Sequence, residues 1–481
     1  MVGITAYGAY VPRLRLSRKS IVTANVWFNP GLAGQAKGER TMAGWDEDSL
    51  TMAVEASRDC LTGQRRADIR SIFLASTSLP FADRQNAGVV AAALTLDEGI
   101  GSSDVTGSLR AGVTALQSAL ATVQAGFAKT ALVVASEQRS ARAASTQELQ
   151  LGDGAAALTV GKTGEIAKLV GGHSETVDFV DHFRAADEEF DYNWEERWIR
   201  DEGYARIVPK AIAGALKVAG LKGENITKFI LPCVFRGVPE SIAKKCGIPD
   251  GAVVDQLAGT VGDTGTAHPL LLLARTLETA SPGDKILVAQ FAQGCDVLVF
   301  EVTPEIKTLT PRGGVKGSLE RRKEETNYMK FLAFTGRVEL EKGMRAEQDK
   351  KTALTTLYRK RDMVLGLVGG RCKTCGTAQF PRTRMCVNPN CKAVDTQEPY
   401  NFAEQTGKIL SWSADHLTYC MDPPQHYGMV TFAEGGRFMT DFTDVEPGSL
   451  ETGQSVRMVF RIKDMDVRRG FRRYFWKAVP V

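Results

Sequence analysis

The sequence predicts an α/β protein: a large core of two similar halves, followed by a small region that is mainly β. Three observations carry this prediction. Apolar segments of strand length alternate with amphipathic helical segments from Gly3 to Pro304, and the two halves close on similar apolar runs, GDGAAALTVG and CDVLVFEVTP. Four of the nine cysteines fall between Cys372 and Cys391. Beyond them, short apolar segments are punctuated by Gly and Pro, as in a small barrel.

The chain has 481 residues, enough for about two to four domains. Its 43% hydrophobic and 24% charged residues fit a soluble globular protein. No window reaches the roughly eighteen apolar residues of a membrane-spanning helix. The first residues, MVGITAYGAYVP, read as a strand and not as a charged segment leading an apolar leader, so a reducing cytoplasm is the expected location.

In order along the first half, GITAYGAY alternates small apolar residues with glycine and stops at Pro12, a buried strand. WDEDSLTMAVEASRDCL opens on acidic residues and Ser49, then sets Leu50, Ala53, Val54 and Leu61 on one face of a helix. IRSIFLASTS is a strand and DRQNAGVVAAAL a helix. Gly107 to Gly126 is a second helix, with Leu109, Val113, Leu116, Leu120 and Val123 at helical spacing. TALVVASE is a buried strand, and GDGAAALTVG closes the half. In the second half, KFILPCVF and DKILVAQFA are strands, while VPKAIAGALKVAGL, VPESIAKKCGI and LLLLARTLETA are helical. The matching order points to internal duplication. The stretch from about 305 to 360 is charged, helical or linking, and its NYMKFLAFTGRVE segment can pack on the core.

Cys372, Cys375, Cys386 and Cys391 sit in RCKTCGTAQFPRTRMCVNPNC, a C-x2-C knuckle and a second close pair. Four thiolates at this spacing close a tetrahedral zinc site, and a closed site is structural. Four unrelated buried thiols are a poor account of so tight a cluster, and disulfides are a poor one in a reducing compartment. KILSWSADH, YGMVTFAEG, RFMTDF, SVRMVFRI and RRYFWKAVP then read as the five strands of an OB-type barrel, a fold used for nucleic acid or, equally, for docking and substrate shaping. Net charge is +4, and the excess is concentrated in RIKDMDVRRGFRRYFWK, Arg461 to Lys477. This run is either a phosphate-binding patch or a strand with solvated arginines; the near-balance of the remaining chain favours the second and disfavours nucleic acid.

VGITAYGAYVPRLRL, WDEDSLTMAVEA, LGDGAAALTV and NYMKFLAFTGRV resemble the corresponding segments of archaeal-type hydroxymethylglutaryl-CoA synthases, members of the thiolase superfamily. The resemblance covers residues 1–345. The remainder resembles the zinc-ribbon and OB-fold proteins that accompany such enzymes, here fused to the core. The resemblance implies a five-layered αβαβα sandwich of two pseudo-equivalent halves, action on CoA thioesters, and a homodimer. The implied domains are 1–165 and 166–345 for the halves, 346–400 for linker and zinc ribbon, and 401–481 for the OB-fold.

Against the family's pattern, the position of the nucleophilic cysteine falls on Leu109 in TGSLRAGVTAL, that of the glutamate base on Ser78 in ASTSLP, that of the histidine on Pro232 in LPCVFRGVP, and that of the asparagine on Asp263 in GDTGTAHP. Without the thiol there is no acyl-enzyme. Retro-aldol cleavage of a β-hydroxyacyl-CoA needs less: a base for the hydroxyl proton and donors for the enolate. Thiolysis by free CoA is the other route. The expected catalytic residues are His268, at a helix start, Asp263 beside it, and Cys233, with the buried inert thiol, the satisfied histidine and the turn cap as their plainer roles. The other histidines are His173, His182, His416 and His426. Ser108, Gly107 and Gly112 are the expected substrate-binding positions at the helix start, with capping and helix packing as alternatives. The expected cofactor is structural zinc, coenzyme A enters as part of the substrate, and no membrane is involved. A non-catalytic acyl-CoA-binding or scaffold protein for a partner thiolase is the competing reading.

Overall fold

The computed structural model describes residues 1–344 and 353–481, so the start of the linker expected from 346 lies outside the described residues. Two compact units form. The first contains Met1–Gly44, Asp48–Gly88 and Leu96–Phe331; the second contains Trp45–Glu47, Val89–Thr95 and Leu332–Val481.

The first unit is built on one nine-stranded sheet. Its strands are β1 (Gly3–Tyr10), β2 (Ile69–Ala75), β3 (Gly101–Val105), β4 (Thr130–Glu137), β5 (Gly154–Gly161), β6 (Ala167–Thr176), β7 (Lys228–Ile230), β8 (Lys285–Phe291) and β9 (Gly294–Val302), in the order β7-β8-β9-β6-β1-β5-β4-β2-β3. The duplication is explicit in the pairing. In the first half β1 runs antiparallel to β5, β5 antiparallel to β4, and β4, β2 and β3 are parallel. In the second half β6 runs antiparallel to β9, β9 antiparallel to β8, and β8 is parallel to β7. The partner that β3 gives β2 is reduced in the second half to one parallel bridge, Phe229 to Val253. The halves join where Gly3 and Ile4 of β1 meet Lys168 and Ala167 of β6.

Four helices complete the layers. α1 (Ser49–Cys60) covers β1, β5 and β4, and α3 (Ala205–Ala219) covers β6 and β9. Between the half-sheets lie α2 (Ala111–Gln124) and α4 (His268–Leu277), which pack on each other and touch strands of both halves. This is the αβαβα order. α1 starts where Asp48 accepts hydrogen bonds from the N–H groups of Leu50 and Thr51, both at 3.0 Å, so the cap is Asp48 and not Ser49. α2 begins at Ala111, later than the apolar spacing implied, and buries Val113, Leu116, Leu120 and Val123. The segment Tyr328–Phe334 is helical; Phe331 is buried and the Tyr328 hydroxyl donates to both Glu148 oxygens at 3.0 Å.

The second unit holds two sheets. β10 (Val368–Cys372), β11 (Ala378–Gln379) and β12 (Gln397–Asn401) pair in the order β11-β10-β12. β13 (Gly407–Asp415), β14 (Gln425–Phe432), β15 (Arg437–Asp441), β16 (Ser455–Asp466) and β17 (Phe471–Pro480) pair in the order β15-β14-β13-β16-β17. The ends curl together: Phe442, just past β15, bridges Ala478 of β17, and Thr443 N–H donates to the Ala478 carbonyl at 3.0 Å. Trp476 fills the barrel, stacks edge-on against Phe460 and donates its indole N–H to the Leu365 carbonyl at 2.6 Å.

Gly8 shows how closely α1 lies on the sheet. A Cβ there would sit 2.1 Å from the Cys60 nitrogen and 2.6 Å from the Ala56 carbonyl oxygen, both backbone. Gly8→Ala is therefore expected to destabilise the protein by about 2–3 kcal/mol, read as a lower midpoint in chemical denaturation at unchanged slope.

Candidate active site

The site lies in the first unit, where β4 ends, α2 begins and the turn before α4 passes. The strand β4 ends on Glu137, and Arg139 follows two residues beyond it. Glu137 is fully buried. Its carboxylate accepts hydrogen bonds from Ser76 Oγ at 3.2 Å, Thr77 N–H and Thr77 Oγ1 at 3.1 Å, Ser78 Oγ, and Thr266 N–H at 3.4 Å. Ser78 Oγ in turn accepts the Gln138 N–H at 2.8 Å.

Arg139 holds a different pair of loops. It donates to Asp191 from Nη2 at 2.7 Å and Nε at 3.1 Å, and its Nη1 lies 3.5 Å from Asp263 Oδ2. Burial opposes the charge on Arg139, but Asp191 and Asp263 outweigh it and raise the guanidinium above its ordinary value. Burial likewise opposes ionisation of Asp191, and Arg139 outweighs it, holding the carboxyl below the usual range. Asp191 and Asp181 frame a hairpin, in which His182 and Phe183 pair with Asn193 and Tyr192. From it Arg184 reaches the Thr77 carbonyl and Asp191, Asp181 accepts from Gln293 Nε2 at 2.8 Å, and His182 Nδ1 meets Asp181 at 2.9 Å.

Gly265 locates the common point of these groups. It has a φ of +52°, and a Cβ there would lie 3.0 Å from Arg139 Cδ, 3.1 Å from Glu137 Cγ and 3.3 Å from Leu109 Cδ2. Leu109, at the mouth of α2, thus borders Gly265 together with the side chains of Glu137 and Arg139.

Of the residues proposed from sequence, Asp263 is brought into this cluster. Its Oδ1 also accepts the Gly265 N–H at 3.0 Å, which caps the turn. Cys233 is half-buried in hydrogen-bond contact with Tyr204, and burial pushes its thiol up to about 12; the Asp263 charge reaches Cys233, Tyr204 and His268 alike. His268 is buried with both nitrogens engaged: Nδ1 accepts from Thr264 N–H at 3.2 Å and lies 3.1 Å from Thr264 Oγ1, while Nε2 donates to the Gln256 carbonyl at 3.0 Å. Ser108 Oγ donates to Gln293 Oε1 at 3.2 Å and accepts the Arg110 N–H at 3.3 Å. Gly107 has a φ of +89° and open space beside its Cα. Gly112 is closed off: a Cβ would sit 2.2 Å from the Thr266 carbonyl oxygen, so this glycine lets α2 pack on the turn before α4. The sequence reading passed over Glu137, Arg139, Asp191 and Gln293. The available signal was a glutamate and an arginine two residues apart at the close of an apolar strand.

In the second unit the four cysteines converge. Their Sγ atoms all lie within 4.8 Å of one another, with Cys372 to Cys391 at 3.8 Å and Cys375 to Cys386 at 3.6 Å. A tetrahedral zinc with bonds of about 2.3 Å sets its sulfurs about 3.8 Å apart, so the group fits zinc, and the gaps are far too long for disulfides. The Thr396 hydroxyl, 3.2 Å from Cys372, and the N–H groups of Cys375 and Thr374 favour thiolate there. The basic run Arg461 to Lys477 is largely paired with acids. Arg461, fully buried, faces Glu47 at 3.1 Å, Asp444 at 3.4 Å and Asp46 at 3.8 Å; Lys477 meets Asp46 at 2.8 Å; Arg469 meets Asp466 and Arg473 meets Asp464. Burial pushes the Asp46 carboxyl up, but Lys477 and Arg461 outweigh it and hold it low.

This α/β fold, with its site at the mouth of a central helix, is that of the thiolase superfamily. Residues 103–176 match the model for 3-oxoacyl-[acyl-carrier-protein] synthase III, residues 364–395 that for the ChsH2 rubredoxin-like zinc ribbon domain, and residues 400–461 that for the ChsH2 C-terminal OB-fold domain. The hydroxymethylglutaryl-CoA synthase of Thermococcus gammatolerans is 30% identical over 332 residues, 67% of this chain and 93% of that protein. That of Pyrococcus horikoshii is 29% identical over the same length and shares. Among solved structures, an OleA variant from Xanthomonas campestris superposes with a TM-score of 0.57 at 19% identity, covering 63% of this chain and 96% of that one. The 3-oxoacyl-[acyl-carrier-protein] synthase III of Aquifex aeolicus gives 0.56 at 19% identity, covering 63% and 100%; both show the shared fold. The chain belongs to the hydroxymethylglutaryl-CoA synthase family, and it carries a zinc ribbon and an OB-fold at its C-terminal end.

Two outcomes follow from the site. Chelation of zinc, or Cys386→Ser, is expected to unfold the ribbon, seen as loss of one zinc per chain by elemental analysis and a lower melting temperature. Burial holds the His268 imidazole below its ordinary value of 6.5. The unfolded chain then binds the proton first, so this histidine supports folding above pH 6.5 and costs stability as pH falls below it. The acid limb of a melting-temperature profile is expected to be shallower in His268→Asn than in the wild type.

Proposed function

We propose that this protein makes or breaks a carbon–carbon bond beside a CoA thioester, by retro-aldol or thiolytic chemistry and without an acyl-enzyme. The observation that carries this reading is Leu109. It stands at the mouth of α2, where the resemblance places the nucleophile, and converges on Gly265 with the buried side chains of Glu137 and Arg139. A hydrocarbon cannot take an acyl group, whereas a polar site can still move a proton and stabilise an enolate.

In this reading Cys233 stays a thiol and donates a hydrogen bond to the thioester oxygen as enolate charge develops. Asp263, held by Arg139 and the Gly265 N–H, orders the turn that borders the substrate and positions the Arg139 guanidinium beside it. His268 fixes the turn that carries Asp263. Ser108 and Gly107 border the acyl group. The strand β3, at the open edge of the sheet, is the proposed homodimer seam. The paired basic run gives little support to nucleic-acid binding, and no helix among the described residues is long and apolar enough to cross a membrane. The same Leu109 favours a second reading, an acyl-CoA-binding or scaffold protein serving a partner thiolase.

The test incubates the protein with β-hydroxyacyl- and β-ketoacyl-CoA esters, with and without free CoA, and follows products by mass spectrometry. Cleavage of a β-hydroxyacyl ester without CoA, with no acyl adduct on the intact protein, is the expected result. Cleavage that requires CoA assigns the thiolytic route. Stabilisation by acyl-CoA without turnover would replace the enzymatic reading with the binding one. Asp263→Asn is expected to lower kcat by about tenfold or more through loss of the ion pair that positions Arg139 and the Gly265 turn.

A further inference from the structure

The site lacks a glutamate at Ser78, yet a carboxylate is present there, delivered from another strand. Glu137 reaches the Ser76–Ser78 loop from the end of β4 and accepts the Ser78 hydroxyl proton. Glu137 has no exposed surface, while Thr77 and Ser78 are half-buried, so a group in the site meets this carboxylate through their hydroxyls, of which Ser78 makes the shorter bond.

The hydrogen-bond count at Ser78 Oγ is decisive. Its one proton points to Glu137. One lone pair accepts the Gln138 N–H. Ser76 Oγ, 3.3 Å away, gives its own single proton to Glu137 and accepts the Ser78 N–H, so it has none left for Ser78 Oγ. A second lone pair on Ser78 Oγ therefore has no donor among the described residues. A hydroxyl whose proton is already directed at a carboxylate, with a lone pair to spare, is built to take a proton from elsewhere.

We propose that Ser78 and Glu137 together form the general base of this site: Ser78 Oγ contacts the substrate hydroxyl and Glu137 takes the proton. The proposal rests on the retro-aldol reading above. The β-hydroxyl proton passes to Ser78 Oγ as the Ser78 proton passes to Glu137. The Cα–Cβ bond breaks, its electron pair moves onto Cα and the thioester as an enolate, and the β-carbon leaves as an aldehyde or ketone. The proton on Glu137 then returns through Ser78 to Cα, giving the shortened acyl-CoA and the starting state. No further reactant is consumed. Ser78 is the catalytic residue in this scheme, and Glu137 acts through it.

The experiment measures single-turnover cleavage of a β-hydroxyacyl-CoA by the full chain and by Ser78→Ala, Ser78→Thr and Glu137→Gln. It also measures deuterium uptake from heavy water at Cα of the product acyl-CoA. Ser78→Ala and Glu137→Gln are expected to lose about 100-fold or more in rate with KM within about threefold, and to lose the exchange. Ser78→Thr, which keeps the hydroxyl, is expected to recover most of both. Circular dichroism checks that Glu137→Gln folds, and Ser78→Ala leaves the other bonds to Glu137 in place. Wild-type cleavage that Ser78→Ala matches overturns the proposal alone. A wild type that neither cleaves nor exchanges overturns the retro-aldol reading and the proposal with it.

Discussion

The first unit depends on one buried carboxylate. Glu137 binds the loop after β2 and the turn before α4 to the end of β4, and Arg139 adds Asp191 and Asp263 to the same anchor. A buried carboxylate costs free energy unless its lone pairs are filled. Here they are filled by side chains and backbone N–H groups from separate loops, so the cost of burying the charge becomes the force that orders those loops. The close approach of α2 to the turn before α4 belongs to the same arrangement. It needs glycine at 112, because the Thr266 carbonyl occupies the space of a Cβ, and glycine at 265, where the backbone is left-handed and three side chains converge.

The second unit is ordered by different means. Zinc closes the ribbon, and a dense aromatic group including Phe402, Phe432 and Phe438 packs where ribbon and barrel meet. The barrel carries a buried charge group in which Arg461 and Lys477 answer Asp46, Glu47 and Asp444. Such a group is satisfied only in one arrangement, and losing one partner leaves the others buried and unpaired.

The proposed chemistry rests on Leu109, which stands where the resemblance places the nucleophile. Leucine at 109 puts hydrocarbon at a helix mouth that otherwise suits a thiolate. Charge was not removed from the site; it is carried by Glu137, Arg139, Asp191 and Asp263. Polarity without a nucleophile suits proton movement and enolate stabilisation more than acyl transfer. Burial keeps Cys233 protonated, which makes it a donor and a poor attacking group.

Much of the architecture was legible in the sequence, because periodicity and spacing are local properties. The two halves, the four-cysteine group and the barrel strands all follow from residues close together in the chain. The site was legible only in part. Asp263 could be named from a turn that reads as one and Leu109 from a contiguous motif, and the structure sets both near Arg139. Glu137 escaped notice because its partners, Ser76 to Ser78 and Thr266, lie about 60 and 129 positions away. Likewise Gly112 reads in sequence as a small residue at a helix start, and only the carbonyl of Thr266 shows why it is small. The sequence by itself determined the elements, the duplication and the metal ligands, since each depends on near neighbours. The tertiary structure alone decided which buried charges meet, because a carboxylate's partners are chosen by the folding of distant loops onto one point.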